Sequence, residues 1–483
     1  MTSTSALIHE GVRYEPIDLP GKGKQQEGIS IEQLRDKGIK CVRIQWVDLV
    51  NNIRYRVVPL PYFEKLLKTS RPGMSLTKAA LGMVFITLVE GFGATGEYLY
   101  ALDQSSLRIC PYAPGHASVM GWFEQKDPIG HDLRALEVDL CPRTILRRVV
   151  ETAKETSGVQ FLVGFESEFI LLKNTMPIEP INQHGWCNSP ALPTGTKEYQ
   201  ILEEIAESLS LSGVELQMYH AEAAPGQYEV VTGPLPPLQA ADALIHTRET
   251  ISNIASKHGL RATFAPRVFL DNCGSAAHAH ISVHTPSAEP QASAHENLNQ
   301  IEASFLAGVL EHLPSIALLA LPTTFSYKRM LDGVWSGGTY VCWGTDNREA
   351  PMRLCNAPSP SSRNFELKTL DGTANPYLAL AAVLASGSEG IASAKELTIK
   401  ECGGEKTAAQ LGQKGREELG IRERLPLTWE EARLKFKEST IMERAFGKEF
   451  KRTYLNVNKT LNELMKPGRE TEQEELKRLV ENY

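Results

Sequence analysis

Apolar and polar residues alternate along the early part of the chain with the period of a β-strand. Residues 41–48 alternate, residues 51–52 read as an Asn-Asn turn, and residues 53–58 alternate again. Because side chains two apart on a strand share a face, this pattern predicts a β-hairpin. Residues 83–90 predict a further strand. The N-terminal part of the chain is therefore expected to be mainly β structure.

Further along the chain, strand-like runs alternate with helix signals. Pro142 marks one predicted helix start and Asn375-Pro376 another, since proline is favoured in the first turn of a helix. An amphipathic helix is predicted over residues 471–483. We divide the chain into a flexible segment over residues 1–28, a β unit over residues 29–132 and a unit of mixed strands and helices over residues 133–483.

Residues 91–96 match the G-x-G-x-x-G pattern of dinucleotide-binding loops. Such a loop needs a long helix directly after the glycines, within a βαβ unit. Here a short run over residues 97–103 leads instead to a loop with Pro111 and Pro114. We interpret the glycines as a flexible loop and expect no dinucleotide-binding fold.

The composition of the chain argues against nucleic acids and membranes as partners. The chain of 483 residues is 42% hydrophobic and 23% charged, with a formal net charge of −7. A nucleic-acid-binding surface would be basic, because binding releases counterions from phosphates. The longest apolar runs are too short to span a bilayer. We therefore expect neither a nucleic acid partner nor a membrane partner.

The eight cysteines are scattered and form no C-x-x-C pair. This spacing is typical of reduced thiols in a cytosolic protein, not of a disulfide framework or a zinc knuckle. The first residues are polar and lack the apolar core of a signal peptide. A cytoplasmic location is the expectation.

Carboxylates supply the candidate chemistry. Glu166 and Glu168 are two apart in an alternating run, so both point to one face of a predicted strand. Two adjacent like charges are costly unless a cation lies between them, although a solvated sheet edge would also accept them. Glu222 precedes a Pro-Gly turn, and Glu229 lies on the strand that follows.

A predicted strand with alternating histidines adds a nitrogen ligand. His278, His280, Ser282 and His284 would share one face of this strand, and Glu366 lies further along the chain. Hard oxygen ligands with one nitrogen suit Mg²⁺ or Mn²⁺ rather than zinc. Two such metals with shared carboxylates would clamp a triphosphate.

Fixed cations are concentrated near Glu366. Arg348 and Arg353 precede it, and Arg363 lies three residues before it. Guanidinium groups suit polyanions, because they offer several donors in a planar fork. Arg348 and Arg353 would neutralise charge on a moving phosphoryl group. The residues together predict a metal–nucleotide site.

These motifs make the chain similar to the glutamine synthetase family, over about residues 30–480. They occur in the family's order and are specific in content. The matches to G-x-E-x-E-F, E-x-x-P-G-Q-x-E, H-x-H-x-S, N-S-Y-K-R with Phe for Asn, N-R-x-x-x-x-R and N-P-Y-L lie at residues 164–169, 222–229, 278–282, 325–329, 347–353 and 375–378.

The resemblance implies an α+β fold, with a small N-terminal β-grasp domain and a catalytic domain of curved antiparallel strands flanked by helices. It also implies ATP as co-substrate and two divalent metals. The first metal would be held by Glu168, Glu222 and Glu229, and the second by Glu166, His278 and Glu366.

Further roles follow from the resemblance. Ser282, Arg348 and Arg353 would bind the nucleotide and its phosphates, with Arg348 also acting in catalysis. The acid substrate would contact Glu168, Gly274, His278, Arg329 and Lys368. Asp48 would lie near the ammonium site as a second catalytic group. A neighbouring subunit completes that site in the family, so homo-oligomeric rings are implied.

The chain departs from the family at several positions. Ammonia-using members carry a catalytic glutamate shortly after the equivalent of Arg329, but no Glu occurs between Glu311 and Glu349, and Trp335 falls at that place. An aromatic wall, with Trp186 as a further candidate, suits an amine with an apolar body.

Three other replacements affect the acid and phosphate sites. Lys368 replaces an arginine, Cys273 replaces an asparagine, and Asn364 replaces a phosphate-binding arginine for which the adjacent Arg363 is a substitute. A lysine cannot reproduce the bidentate fork of an arginine.

The sequence therefore predicts an ATP-dependent ligase that joins the γ-carboxylate of glutamate to an organic amine through an acyl phosphate. Two alternatives remain open: a catalytically silent scaffold or regulator, suggested by the lost substrate groups, and a glutamine synthetase that uses ammonia.

Overall fold

The computed structural model of the chain describes residues 11–16, 29–129, 134–184, 189–285, 293, 295–334, 337–466, 468 and 470–483. The predicted boundary between residues 132 and 133 lies outside the described residues. So do Trp186 and Trp335, the two candidates for an amine-binding wall, and most of the segment 1–28.

The N-terminal part forms a five-stranded sheet with the order β2-β1-β5-β4-β3. Strands β1 and β2 are the predicted hairpin, which is confirmed, and β1 runs parallel to β5. The strands are β1 Cys41–Val47, β2 Ile53–Pro59, β3 Gly73–Thr77, β4 Glu97–Ile109 and β5 His116–Glu124, with helices α1 Ile31–Asp36 and α2 Leu60–Leu67.

The strand predicted over residues 83–90 is wrong. Val84 forms an isolated bridge with Thr87, and Phe85 between them has a φ of 52°. A residue in this left-handed region reverses the chain, so a strand cannot continue through it. The glycine loop after it leads into strand β4 and not into a helix, as expected from the sequence.

The larger part is built on a nine-stranded sheet with the order β12-β13-β14-β11-β6-β9-β8, in which β7 and β10 pair with β6. Its pairs are antiparallel except for β12 with β13. The strands are β6 Gln160–Thr175, β7 Ile178–Pro180, β8 Leu216–Ala221, β9 Gln227–Leu235, β10 Arg261–Thr263, β11 Ala279–His284, β12 Trp343–Thr345, β13 Met352–Cys355 and β14 Asn364–Leu367.

Helices flank this curled sheet, and the predicted helix starts are confirmed. Pro142 opens α3, Asn375 caps α7 through the Tyr377 and Leu378 amides, and Thr471 caps α12. The helices are α3 Pro142–Ser157, α4 Lys197–Leu211, α5 Pro237–Lys257, α6 Gln300–Ala320, α7 Pro376–Ala392, α8 Gly412–Glu418, α9 Trp429–Glu438, α10 Thr440–Phe446, α11 Lys448–Met465 and α12 Glu472–Asn482.

Helices α6 and α7 pack closely because glycines face each other. A Cβ at Gly308 would lie 2.3 Å from the Ser386 carbonyl oxygen, and a Cβ at Gly390 would lie 2.2 Å from that of Ser304. Among the described residues, α6 alone has the length and hydropathy of a membrane span, but 83% of its apolar window is buried inside the fold.

Helix α5 carries a buried histidine, and we expect it to make the fold less stable at low pH. His246 is buried, neither ring nitrogen has a hydrogen-bond partner among the described residues, and its ring lies 5.6 Å from that of Tyr112. Burial, reinforced by the charge of Arg108, holds the pKa of His246 well below its usual value. The unfolded chain therefore binds a proton that the folded chain does not.

We predict that His246→Phe reduces acid destabilisation. His246 leaves the free energy of unfolding unaffected above the unfolded pKa of about 6.5. Below that pH it lowers the free energy of unfolding by at most about 1.4 kcal/mol per pH unit. Denaturant unfolding between pH 7 and pH 5 should therefore show a shallower loss in the variant. The exposed His184→Phe is the control, and equal slopes for His246→Phe and the unchanged chain would contradict the assignment.

Candidate active site

Strand β6 places two glutamates at the centre of the large sheet. Phe165 and Phe169 on the same strand are buried, so alternation directs Glu166 and Glu168 to the opposite face. Glu168 lies directly across from Glu229 on β9. This pairing sets carboxylates of two strands side by side.

Glu166, His278 and Glu366 form one candidate metal group, in which the ligand atoms lie within 4.8 Å of one another. The Nδ1 atom of His278 is 2.7 Å from Glu166 Oε2 and 3.5 Å from Glu366 Oε1. The Glu166 amide donates to the His278 carbonyl at 3.0 Å, which fixes the two residues side by side. The structure thus brings together the three residues expected from the sequence to hold the second metal, and we name them the first metal group because they come first along the chain.

Neighbouring cations set the charge of this group. Lys368 Nζ donates to Glu366 Oε1 at 2.7 Å, and Arg353 Nη1 donates to Oε2 at 3.0 Å. Although burial opposes it, the charges of Lys368 and His278 lower the pKa of Glu366 to about 2. Burial and Lys368 lower the pKa of His278 to about 4. A neutral imidazole beside an ionised carboxylate is the state that a metal ligand requires.

His220, Glu222 and Glu229 form a second candidate metal group, with ligand atoms within 4.8 Å of one another. His220 Nε2 lies 3.3 Å from Glu229 Oε1, and its Nδ1 lies 3.7 Å from Glu222 Oε1. His220 was not among the metal ligands predicted from the sequence. Its position two residues before Glu222, on the strand that pairs with Glu229, is the signal that points to it.

Glu168 lies between the two candidate metal groups. Its Oε2 accepts from Gln227 Nε2 at 3.1 Å and from the Ala276 amide at 2.9 Å. Its Oε1 lies 3.8 Å from His278 Nδ1. It was expected in the first metal set, but the ligand atoms that converge with Glu222 and Glu229 are those of His220.

Crowding of these carboxylates raises their proton affinity. Burial, followed by the charges of Glu229 and Glu222, holds the pKa of Glu168 well above its usual value. Burial also raises the pKa of Glu229 to about 7 and that of Glu222 in the same direction. A divalent cation would relieve this repulsion, and carboxylates with one imidazole per group suit Mg²⁺ or Mn²⁺.

A buried arginine borders the first metal group. Arg329 is 1% exposed, its Nη2 donates to the Lys368 carbonyl at 2.7 Å, and the same atom lies 3.4 Å from His278 Nε2. A Cβ at Gly274 would lie 2.8 Å from Arg329 Cγ. The residues expected to contact an acid substrate therefore adjoin one another.

Two of the three arginines predicted to bind phosphates lie near the metal groups, whereas the third is paired elsewhere. Arg348 is exposed on a turn, and its charge opposes the raised pKa of Glu222, so it lies near the second group. Arg353 contacts Glu366. Arg363, in contrast, forms a bidentate pair with Glu302 on α6, at 3.0 and 2.7 Å, so a role in phosphate binding would require this pair to break.

Strand β11 extends the site with further polar side chains. His280 Nε2 lies 3.0 Å from Glu166 Oε1, and His280 Nδ1 lies 2.8 Å from Asn364 Oδ1. Ser282 Oγ is bonded to His284 Nε2 at 2.7 Å. Asn364, which stands in place of an expected arginine, therefore holds a histidine that contacts the first metal group.

Asp48 is directed into its own loop. It is fully buried, and its carboxylate accepts from Arg54 Nε at 2.6 Å and from the Val50 and Asn52 amides at 3.0 and 2.8 Å. Its carbonyl accepts from Asn375 Nδ2 at the start of α7. No hydrogen bond or ion pair links its side chain to the two metal groups within the described part of the chain.

An α+β protein with a curled sheet that carries two groups of metal ligands is the architecture of a glutamine synthetase catalytic domain. The family model described as "Glutamine synthetase, catalytic domain" matches residues 139–479. The chain belongs to the glutamine synthetase family. Members of this family are ATP-dependent ligases that use divalent metals and commonly form oligomers.

Curated relatives extend this finding. The chain is 35% identical to "Protein fluG" of Emericella nidulans over 92% of its own length, but it spans only about half, 49%, of that relative. It is 30% identical to "Type-1 glutamine synthetase 1" of Dictyostelium discoideum over 76% of each chain. It is 29% identical to "Gamma-glutamylpolyamine synthetase GlnA3" of Streptomyces coelicolor over 89% of this chain and 91% of that one.

Solved structures agree on the fold. The structure described as "GmaS/ADP complex-Conformation 1" superposes with a TM-score of 0.76 over 92% of this chain and 97% of that one, at 22% identity. The α+β fold expected from the sequence, with an N-terminal sheet and curved antiparallel strands flanked by helices, is confirmed.

We predict that Mn²⁺ stabilises the chain through the crowded carboxylates. At a hundredfold excess over the dissociation constant, one bound ion adds about 2.7 kcal/mol to the free energy of unfolding. Glu229→Gln should raise the melting temperature of the metal-free chain, because it removes one of the repelling charges, and should diminish the increase that Mn²⁺ produces. Differential scanning calorimetry with and without a chelator measures both.

The exposed Glu179→Gln on β7 is the matched control for this experiment, since it removes a carboxylate that lies outside both groups. A melting temperature of the unchanged chain that does not respond to Mn²⁺ would contradict the metal assignment. So would an equal response of the unchanged chain and Glu229→Gln.

Proposed function

We propose that the chain is an ATP-dependent ligase that joins the γ-carboxylate of glutamate to an organic amine. The observation that carries this proposal is the pair of ligand groups, one of which, at His278, lies beside the buried Arg329. The groups suit metal-bound phosphates, and the arginine suits a carboxylate. An acid and a triphosphate would thus meet at the same place.

The reaction follows from the chemistry of the substrates. A carboxylate reacts poorly with an amine, because it lacks a good leaving group. An oxygen of the γ-carboxylate attacks the terminal phosphorus of ATP, the bond to ADP breaks, and an acyl phosphate forms. The amine nitrogen then attacks the acyl carbon and loses a proton, the C–O bond to phosphate breaks, and an amide and inorganic phosphate are produced.

The chain's residues would position these reactants. Arg329, with Gly274 and Lys368 beside it, would hold the acid, while Arg348 and Arg353 would neutralise the phosphates and Ser282 would contact the nucleotide. Bound divalent ions would supply electrostatic stabilisation of the triphosphate. Holding charges close together and excluding water is the main catalytic contribution of such a site.

Several features support an organic amine over ammonia. No glutamate occurs between Glu311 and Glu349, where ammonia-using members are expected to carry one, and Trp335 falls in that interval. Asp48, the counterpart of the ammonium-site aspartate, already forms an ion pair with Arg54 at 2.6 Å. A relative named as a gamma-glutamylpolyamine synthetase aligns over most of the chain.

We further propose that the chain forms homo-oligomeric rings and acts in the cytoplasm.

A catalytically silent scaffold is the second candidate, and one observation favours it. Lys368 Nζ forms an ion pair with Glu366 Oε1, and Arg363 Nη2 forms one with Glu302 Oε2, at 2.7 Å in each case. An internal ammonium group beside Glu366 offsets part of the negative charge that a metal would otherwise neutralise. A scaffold of this kind need not bind ATP tightly with Mg²⁺, whereas the ligase must, and this difference separates the two.

We predict phosphate release from ATP, Mg²⁺ and glutamate when a suitable amine is present. Primary monoamines and polyamines of increasing apolar length form the panel, with ammonium chloride as the comparison, and mass spectrometry should find the γ-glutamyl amide. The rate with the best amine should exceed that with saturating ammonium. Silence across the amines, ammonium and alternative acids would contradict the ligase; turnover with ammonium alone would identify a glutamine synthetase.

We predict that Arg329→Lys raises the KM for the acid by about ten- to a hundredfold, because a hydrogen bond to a charged group contributes roughly 1.5–3 kcal/mol and a lysine cannot form the same fork. Nucleotide affinity, measured by calorimetry, should change much less. The control is Arg452→Lys, at an exposed ion pair with Glu449. An unchanged KM for the acid would remove Arg329 from the acid site.

A further inference from the structure

Residues 11–16, which we name the N-terminal strap, lie against one end of the curled sheet. Gly11 packs on the loop between β13 and β14, where a Cβ would lie 2.8 Å from Ser362 Oγ and 3.3 Å from Asn356 Nδ2. Pro16 is buried, whereas Val12 is 73% exposed. The strap is thus seated on the fold, with its middle facing solvent.

The opposite side of the strap is fixed by a tyrosine. Tyr14 Oη donates to Glu215 Oε1 at 2.6 Å and accepts from Gln217 Nε2 at 2.7 Å. Both partners lie at the start of β8. Because β8 and β14 are separated by three strands in the sheet order, the strap connects two distant strands across the end of the curl.

The polar face of β11 runs toward the same end of the sheet. His284, the last residue of β11, pairs with Gln160, the first residue of β6, and β14 begins on the same side. Arg13 and Glu15 act electrostatically on His284, so the strap lies near it. His284 in turn is bonded to Ser282 at 2.7 Å.

The distance from the first metal group to the strap fits an extended nucleotide. His278 and His284 are six residues apart along β11, which corresponds to roughly 20 Å at 3.3 Å per residue. Alternation sets His280 and Ser282 on the same face between them. With its terminal phosphate at the metal group, a nucleoside triphosphate lying along this row would bring its nucleoside to the strap.

The strap is also linked to the metal group through side chains. The Ser362 carbonyl, beside Gly11, accepts from Asn364 Nδ2 at 3.0 Å. Asn364 Oδ1 contacts His280 Nδ1 at 2.8 Å, and His280 Nε2 contacts Glu166 at 3.0 Å. A shift of the loop under the strap would therefore reach a residue of the first metal group.

We propose that the N-terminal strap is the outer wall of the nucleotide site and retains the nucleoside end of bound ATP or ADP. This inference rests on the proposed function, because it takes the row along β11 as the nucleotide path. Tyr14 joins the strap to the start of β8, and Val12 within the strap is 73% exposed. Short exposed segments open at low cost, so the strap opens to exchange nucleotide and closes to hold it.

Removing the tyrosine hydroxyl tests the retention. In Tyr14→Phe the dissociation rate of a fluorescent ADP analogue with Mg²⁺, measured by stopped flow, should rise about two- to tenfold, the net effect of losing one hydrogen bond at a half-buried site. Deletion of residues 1–16 should raise it at least as much. The KM for ATP should rise more than kcat changes.

Tyr199→Phe is the matched control. Tyr199 also bonds a carboxylate, that of Glu203, but it lies near the start of α4, whereas Glu215 follows the end of that helix. The dissociation rate of the analogue from this variant should equal that from the unchanged chain. An equal effect of both tyrosine substitutions would contradict a specific role for the strap.

A reversible crosslink tests the opening. The Cβ built at Gly11 is 3.0 Å from Ser362 Cβ, and disulfides have Cβ separations of about 3.5–4.5 Å, so a small shift allows Gly11→Cys with Ser362→Cys to bridge. Oxidation of the double variant should slow both association and dissociation of the analogue at least tenfold, and a reductant should restore them. Each single variant, oxidised in the same way, is the control.

The outcomes separate this inference from the proposed function. If the unchanged chain binds the analogue and neither Tyr14→Phe, the deletion nor the crosslink alters its rates, the strap inference is overturned and the ligase stands. If the unchanged chain binds no nucleotide with Mg²⁺ present, both are overturned. Faster release from the loosened variants with slower exchange in the crosslinked one supports the strap.

Discussion

Repulsion among buried carboxylates is the constraint on which the rest of the site depends. Glu168 and Glu229 face each other across two central strands. Glu166 and Glu366 lie on the same sheet, and Glu222 directly follows its strand β8. Water would screen such charges, but burial removes that screening and raises the cost of ionising them. A fold that keeps this arrangement must supply compensating positive charge.

The chain supplies that charge in two ways. Lys368 and Arg353 donate to Glu366, and in the metal-free chain a protonated His220, whose pKa Glu229 raises to about 9, lies 3.3 Å from Glu229. A metal at that group would displace the His220 proton. These cations compensate only part of the set, since the pKa of Glu168 remains well above its usual value. Divalent ions at the two ligand groups would complete the compensation. The same ions would then attract the phosphates of a nucleotide, which connects the stability of the site to its chemistry.

Much of this arrangement could be predicted from the sequence, because its signals are local. Alternation around Glu166 and Glu168, the helix cap at Asn375 and the turn before Glu229 each follow from neighbouring residues. Other features depend on residues far apart in the chain: the bond of Arg363 to Glu302, the ion pair of Asp48 with Arg54 set by the hairpin register, and the approach of His220 to Glu229. The predicted strand over residues 83–90 failed because hydrophobicity does not report the positive φ of Phe85.

Anomalous diffraction from crystals grown with Mn²⁺ tests the central claim most directly, since it locates the ions without reference to activity. Two peaks are predicted, one bounded by Glu166, His278 and Glu366 and the other in contact with Glu222 and Glu229. An absence of manganese at both groups, or its binding only elsewhere on the molecule, would contradict the claim that these carboxylates form a metal site.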